Sequence, residues 1–237
     1  MTLRASIIVW GLVACFVLAN PSGGRAAPAP GQEAALRGKQ QLDAGDYAGA
    51  VALFTEAIQS NPRSAAYLGN RGISYLNLGQ FDLAITDFDE AIRLYSSTEK
   101  GITAKGSGKP VLIDRWSNDA KWAEARLSES IKQHVSICRV HRGMAYAKQG
   151  ALDNAQADFD AAIGLDAGNA KAFWQRALLF AAQRQKGKAL ADYNEALRLN
   201  PKNSVALYER GNLHANQGNP QSAVTRSHLP GASPARA

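Results

Sequence analysis

Apolar side chains recur along this chain at the spacing of short amphipathic helices, and the helices come in pairs. Residues 171–201 show the pattern most clearly, with a polar turn at 185–188 between two apolar faces. Small and aromatic residues fall at i, i+4 and i+7 on each face: Phe173, Ala177 and Phe180, then Ala189, Tyr193 and Ala196. A hairpin of two such helices cannot bury both faces alone, so the pattern predicts similar hairpins stacked on either side.

The hairpin returns with a period of 34 residues. Copies occupy residues 31–64, 65–98, 136–169 and 170–203, and a partial fifth copy occupies 204–224. In the complete copies position 8 is Gly or Ala, positions 20 and 27 are Ala, and position 24 is aromatic: Gly38, Gly72, Gly143 and Ala177 at position 8; Phe54, Phe88, Phe159 and Tyr193 at position 24. This period and these residue types resemble the tetratricopeptide repeat, here of a bacterial exported type.

The resemblance implies an all-α fold, an α-solenoid in which the hairpins form a right-handed superhelix and the first helices line a concave groove. Small residues at positions 8 and 20 are expected to let the two helices of a hairpin approach closely. The aromatic at position 24 is expected to fill the space between hairpins. Five glycines are expected to close the first helices at the turns: Gly45, Gly79, Gly150, Gly187 and Gly218.

Charged residues also recur within the repeats. Position 7 is arginine in every copy: Arg37, Arg71, Arg142, Arg176 and Arg210. We expect their stems to pack on the hairpins while the guanidinium groups stay solvated. The acidic pairs Asp87/Asp89 and Asp158/Asp160 flank the position-24 aromatics, and we expect them to be solvated helix surface.

Two segments depart from the repeat. Residues 99–135 form an insertion of a Gly/Lys/Ser loop and a helical stretch from about Ser117, which continues into copy three as a long helix or forms an extra hairpin arm. In copy five Pro230 falls at position 27, so residues 225–237 are predicted to be a disordered tail. Either this end is shortened relative to related proteins, which we favour, or its exposed face docks on a partner.

The N-terminus has the pattern of an export signal. A short positive start precedes an apolar run at 5–19, which is shorter than the roughly 20 residues of a spanning helix. We predict a signal peptide at 1–26, cleaved before Ala27, no stable membrane span after cleavage, and a periplasmic or secreted protein. The alternative is a lipoprotein anchored through Cys15, since Leu12 to Cys15 resembles a lipidation box.

Composition and motifs favour binding over catalysis. The formal charge is +7, but Lys and Arg are dispersed, so we expect no nucleic-acid partner. Cys138 and His141 lie three residues apart, yet no further ligand stands at zinc spacing, and no catalytic or nucleotide signature is complete. We therefore expect no enzyme, cofactor or metal. The alternative is an enzyme or small-ligand protein that uses the 99–135 insertion.

The resemblance places particular side chains of the first helices in the groove. A non-enzymatic scaffold that binds a protein or peptide there is the function it implies. The candidate contact residues are Lys39, Asn70, Ile73, Met144, Lys171, Trp174, Leu178, Tyr208 and Asn212. Ile73 and Met144 stand where the family's carboxylate-binding members need polar residues, so the ligand expected here is an extended or helical peptide with apolar side chains.

Overall fold

The computed structural model describes residues 30–105 and 117–215, and all regular secondary structure in these ranges is α-helical. The predicted signal at 1–26, Gly218 and the tail at 225–237 lie outside the described residues. The helices are α1 (Pro30–Ala44), α2 (Tyr47–Ser60), α3 (Ala65–Asn77), α4 (Phe81–Lys105), α5 (Ser117–Lys148), α6 (Leu152–Leu165), α7 (Ala170–Ala182), α8 (Lys186–Leu199) and α9 (Ser204–Ala215).

The helices pack in the order of the chain, each against its neighbours in sequence. The first helix of a repeat also touches the first helix of the next, as α3 touches α5 and α5 touches α7. Side-chain caps fix several starts, since Ser64 accepts a hydrogen bond from the Tyr67 amide and Asn169 from the Ala172 amide. The predicted all-α solenoid of helical hairpins is confirmed.

Two helices are far longer than the rest. α4 has 25 residues and α5 has 32, whereas the repeat helices elsewhere have 12 to 15. α5 is continuous, so the helical part of the insertion extends the first helix of copy three. Ile131, Val135 and Cys138 of α5 are buried in one cluster with Leu94 of α4. The insertion therefore lengthens two adjacent helices, the second helix of copy two and the first helix of copy three.

The position-24 rings lie against the small residue at position 8 of their own hairpin. A Cβ atom added at Gly143 would be 2.7 Å from the Phe159 ring, and one at Gly72 would be 2.9 Å from the Phe88 ring. The same added atom at Gly143 would lie 3.2 Å from the carbonyl oxygen of Ala155, at position 20. The close approach predicted at position 8 is thus mainly to the aromatic ring, which fills space inside the hairpin.

The turns inside the hairpins share a left-handed residue at position 15. Gly45, Gly79 and Gly150 have this left-handed backbone conformation, with φ of 83°, 75° and 81°. In copy four the residue is Arg184, with φ of 60°, while Gly187 lies within α8. The expectation for Gly187 was wrong, because the backbone needs positive φ at a fixed place in the repeat, three residues earlier.

Three of the five arginines at position 7, Arg71, Arg142 and Arg176, are paired with carboxylates rather than solvated. Nε and Nη2 of Arg142 donate to the two carboxylate oxygens of Asp158 at 2.7 and 2.5 Å, and Asp158 is buried. Arg71 binds Asp87 and Arg176 binds Asp192 in the same two-pronged way. The expected solvated surface was wrong for these three arginines and their partners, because each of the three has a carboxylate at position 23 within reach, whereas Arg37 has Leu53 at that position and is exposed.

The same arginines also reach the preceding repeat. Arg142 donates to Asp89 at 2.5 Å and Arg176 donates to Asp160 at 2.6 Å. At the two ends of the array the corresponding acceptors at position 25 are neutral: Thr55 for Arg71 and Asn194 for Arg210. We call this set of contacts between positions 7, 23 and 25 the arginine ladder. It links each hairpin to the one before it.

Candidate binding groove

Three first helices enclose an open cavity of about 460 Å³. α3 contributes Ile73, Leu76 and Asn77, α5 contributes His141, Met144 and Lys148, and α7 contributes Lys171, with Gly79 and Phe81 at one edge. Ile73, Met144 and Lys171 were predicted to face the groove, and the structure brings these three together. Their spacing in the repeat explains this, because positions 2 and 9 of successive first helices point to one side.

A lysine and a neutral histidine meet at this cavity. Lys171 Nζ donates to His141 Nε2 at 2.8 Å, and the other ring nitrogen, Nδ1, lies 2.9 Å from the Ile137 carbonyl oxygen. Nδ1 therefore carries the ring proton and Nε2 accepts. Burial and the nearby Lys171 charge lower the pKa of His141 to about 3, and burial also lowers the pKa of Lys171. The ring further stacks on Phe88, with centroids 5.9 Å apart.

The cavity combines apolar walls with two ammonium groups. Leu76, Phe81 and Met144 supply the apolar surface, while Lys148 and Lys171 stand beside it. Neither lysine forms an ion pair with any described residue. Arg71, Arg142 and Arg176 of the arginine ladder are the opposite case, since each of these guanidinium groups faces a carboxylate.

Trp174 and Leu178 lie further along α7 and are half-buried. Both pack against the cluster formed by Phe180, Tyr193 and neighbouring alanines, and neither lines the cavity. The indole Nε1 of Trp174 is buried and has no hydrogen-bond partner within the described residues. In this structure the two side chains serve packing between copies four and five.

The remaining predicted residues are spread along the array. Lys39 is exposed and paired with Asp43 in α1, Asn70 is half-buried in α3, and in α9 Tyr208 is exposed while Asn212 is half-buried. None of these four lines the cavity. The structure thus collects only part of the predicted set in one place.

Sequence reasoning missed His141, Lys148 and Phe81 at the cavity. His141 stands at position 6 and Lys148 at position 13, next to positions expected to face the groove. The repeat numbering could have indicated His141, because position 6 of one copy pairs with position 2 of the next, as His141 pairs with Lys171. Cys138 is buried, and burial raises the pKa of its thiol to about 12.

Helical hairpins stacked in sequence order define the class of helical-repeat proteins. A family model described as "Tetratricopeptide repeat" matches residues 36–97 and 140–204, which is more than half of the chain, and a second model of the same description matches 192–225. The chain belongs to the tetratricopeptide repeat family. This class of protein binds protein partners, so the array is a protein-interaction scaffold.

Curated relatives match within limited regions. The chain is 28% identical over 153 residues to small glutamine-rich tetratricopeptide repeat-containing protein 2 of Saccharomyces cerevisiae, covering 59% of this chain and 43% of that protein. It is 30% identical over 81 residues to human serine/threonine-protein phosphatase 5, covering 34% of this chain and 16% of the phosphatase. The chain thus spans less than half the length of these relatives.

Solved structures share the fold at low identity. A MamA structure from Desulfovibrio magneticus RS-1 has a TM-score of 0.56 at 14% identity and covers 84% of this chain and 92% of that one. The Rap conjugation gene regulator of plasmid pLS20, solved in complex with the Phr* peptide, has a TM-score of 0.58 at 17% identity, covering 82% and 51%. At this identity the likeness concerns the fold alone.

Two further features of the described helices bear on other functions. Among the helices at 30–105 and 117–215, none is long and apolar enough to cross a membrane. Across the same ranges, His, Cys, Asp and Glu side chains form no group of three or more that is arranged to hold a metal ion.

Proposed function

We propose that this protein is a non-enzymatic scaffold whose concave groove binds a segment of another polypeptide, in the cell envelope or outside the cell. The observation that carries the proposal is the cavity between α3, α5 and α7, where apolar and basic side chains of three repeats converge. A surface built by three separate first helices suits an extended or helical peptide, which makes successive contacts along its length.

The comparisons give secondary support. A protein of the same fold has been solved with a bound peptide, the Rap regulator with Phr*. That likeness concerns fold, so the peptide itself is not carried over. The proposed envelope or extracellular localisation is supported by the positive start and the apolar run at 5–19.

The groove is tested by photocrosslinking from a single position. A benzophenone amino acid replaces Met144, which lines the cavity, and in a matched protein it replaces Ala157, an exposed residue of the second helix α6. Both proteins are irradiated in the cells that produce them. We expect a defined crosslinked polypeptide from position 144 and none from position 157.

Equal crosslinking from both positions would contradict the groove assignment. As a second measurement, Met144→Glu should abolish the crosslink of a probe placed at Ile73, because a carboxylate would be introduced into the apolar wall. Circular dichroism checks that this variant remains helical.

Localisation has its own test. Mass spectrometry of the mature protein from fractionated cells should find an N-terminus at Ala27 in the periplasm or medium. A lipid-modified Cys15 would support the anchored alternative, and an intact Met1 in the cytoplasm would overturn the proposed export.

A further inference from the structure

The two lysines at the cavity carry charge that the described structure leaves unbalanced. The guanidinium groups of Arg71, Arg142 and Arg176 each meet carboxylates, whereas Lys148 and Lys171 form no ion pair with any described residue. The charge of Lys171 is not offset by its hydrogen-bond partner, because that partner is the neutral His141 ring. A ligand carboxylate at this place would supply the missing charge.

His141 fixes where the Lys171 ammonium stands. The imidazole is itself held by its hydrogen bond to the Ile137 carbonyl and by stacking on Phe88, so its Nε2 is a fixed acceptor. An ammonium group has three donors, and one of them is used here. Two donors remain for a ligand, and the side chain is already ordered, which lowers the entropy lost on binding.

Apolar surface lies beside these charges. Leu76, Phe81 and Met144 line the same cavity, and its volume of about 460 Å³ is within the range of pockets that enclose a ligand group. Methionine adapts to differently shaped apolar partners. The site therefore suits an apolar side chain and an anionic group that are close together on one ligand.

We propose, on the basis of the peptide-binding function above, that the cavity binds an acidic peptide segment: an aliphatic or aromatic side chain enters between Leu76, Phe81 and Met144, while Asp or Glu side chains on either side of it meet Lys148 and Lys171. Charge complementarity identifies this partner. The acidic groups belong to side chains inside the segment, so a free C-terminus is not required.

Fluorescence anisotropy with designed peptides tests the proposal. Three labelled ten-residue peptides, capped at both ends, share one pattern of Leu and Phe and differ only in Glu, Gln or Lys at the positions between. We expect the Glu peptide to bind the full protein at least about tenfold more tightly than the Gln peptide, with a preference that weakens as salt is added, and the Lys peptide to bind most weakly.

Charge-matched variants locate the preference. In the Lys148→Gln/Lys171→Gln protein we expect Glu and Gln peptides to bind equally. The control, Lys186→Gln/Lys202→Gln, removes the same charge from two exposed lysines outside the cavity and should keep the preference. If the double variant loses helicity, Lys148→Gln alone, at an exposed position, should still reduce the preference.

The outcomes separate this inference from the proposed function. Equal binding of the Glu and Gln peptides by the unmodified protein, or an unchanged preference in the cavity variant, overturns the acidic preference and leaves groove binding standing. Binding of an uncapped version of the Glu peptide, with no binding of the capped one, also overturns it. If none of the peptides binds, the inference fails, and photocrosslinking from position 144 decides the groove itself.

Discussion

At the scale of single residues, a glycine and an aromatic ring pack closely inside the hairpins. A Cβ atom added at Gly72 or Gly143 would lie less than 3 Å from the ring of Phe88 or Phe159, respectively. In copy four the same position is Ala177, which is fully buried, and its ring is that of Tyr193. The hairpins therefore use two versions of one contact, glycine beside phenylalanine and alanine beside tyrosine.

Gly143→Ala should lower the free energy of unfolding by about 1–3 kcal/mol, because the new methyl group would overlap the Phe159 ring and approach the Ala155 carbonyl. The matched control is Gly164→Ala in α6, where no atom lies within 4 Å of the added Cβ. That change should stabilise by up to about 1 kcal/mol, because alanine is the better helix former. Urea denaturation measures both, and a neutral Gly143→Ala would contradict the tight contact.

Arg184→Gly should raise the free energy of unfolding by about 0.5–1 kcal/mol. The left-handed backbone at Arg184 costs an L-residue roughly 1–2 kcal/mol, which the greater flexibility of an unfolded glycine partly offsets. The converse control is Gly150→Ala, at the same place in copy three with open space around it, which should destabilise for conformational reasons alone. Loss of stability in Arg184→Gly would show that the arginine side chain makes a compensating contact.

His141 should make the stability of the protein depend on pH. Its pKa is lowered to about 3 in the folded protein, against an ordinary value of 6.5, because of burial and the nearby Lys171. Below the unfolded value the unfolded chain binds a proton that the folded chain does not, so stability falls as pH falls from about 6.5 toward 3. The slope is up to about 1.4 kcal/mol per pH unit for one proton.

The comparison protein for this pH effect is His141→Gln. Its stability should fall less steeply between pH 6.5 and 4, since the remaining slope comes from carboxylates common to both proteins. Identical pH slopes in urea titrations of the two proteins would show that His141 titrates normally when folded.

At the scale of helices and hairpins, the arginine ladder contributes charge pairing inside the array. Asp158 is buried and accepts from both Arg142 and Arg139, whereas Asp160, two residues later on α6, is exposed and accepts from Arg176 of the next repeat. Hydrogen bonds to Asp192 and Asp160 raise the pKa of Arg176. One helix thus presents an inner and an outer carboxylate with different surroundings.

Asp158→Ala should destabilise the protein by about 3 kcal/mol, because it leaves the half-buried Arg142 without its main partner. Asp160→Ala is the control on the same helix and should cost less than about 1 kcal/mol, since an exposed pair is screened by water. Thermal and urea unfolding measure both. Equal losses would mean that burial does not distinguish the two carboxylates.

Sequence periodicity was sufficient to predict the hairpins, because helix packing determines the residue types at positions 8, 20, 24 and 27. It did not predict the ion pair between Arg142 and Asp158. These residues are 16 positions apart in the sequence and look like ordinary surface charges until the hairpin forms. It also predicted Gly187 as the turn residue of copy four, whereas the left-handed residue is Arg184. For the cavity it gave Ile73, Met144 and Lys171 but missed His141 and Lys148, because the fit between neighbouring hairpins determines which adjacent positions face inward.

At the scale of the whole molecule, the links between repeats differ from the middle to the ends. Inner links use the carboxylates of Asp89 and Asp160, and end links use the neutral Thr55 and Asn194. In an array whose repeats contact only their neighbours, weak end links allow the ends to open first. We therefore expect amide hydrogens of α1 and α9 to exchange faster than those of α6 and α7.

Asn194→Asp should slow exchange in α9, since a carboxylate would replace the amide oxygen that accepts from Arg210 at 2.9 Å. The gain is expected to be several tenths of a kcal/mol, as for an exposed ion pair. Mass spectrometry of exchanged peptides measures it, and the same change in an Arg210→Gln background is the control. Slower exchange in both backgrounds would show that the effect does not pass through Arg210.

The arginine ladder also makes the repeats unequal as building modules. Copy three has Arg142, Asp158 and Asp160, so inserting a second copy of it would extend the array with every charge of the arginine ladder matched. Copy one has Leu53 at position 23, and its Arg37 is exposed. Placed in the interior, copy one would bury an arginine without a carboxylate in its own hairpin. An engineer who wishes to lengthen this groove should therefore duplicate residues 136–169, and the order of repeats along the chain is part of what the sequence encodes.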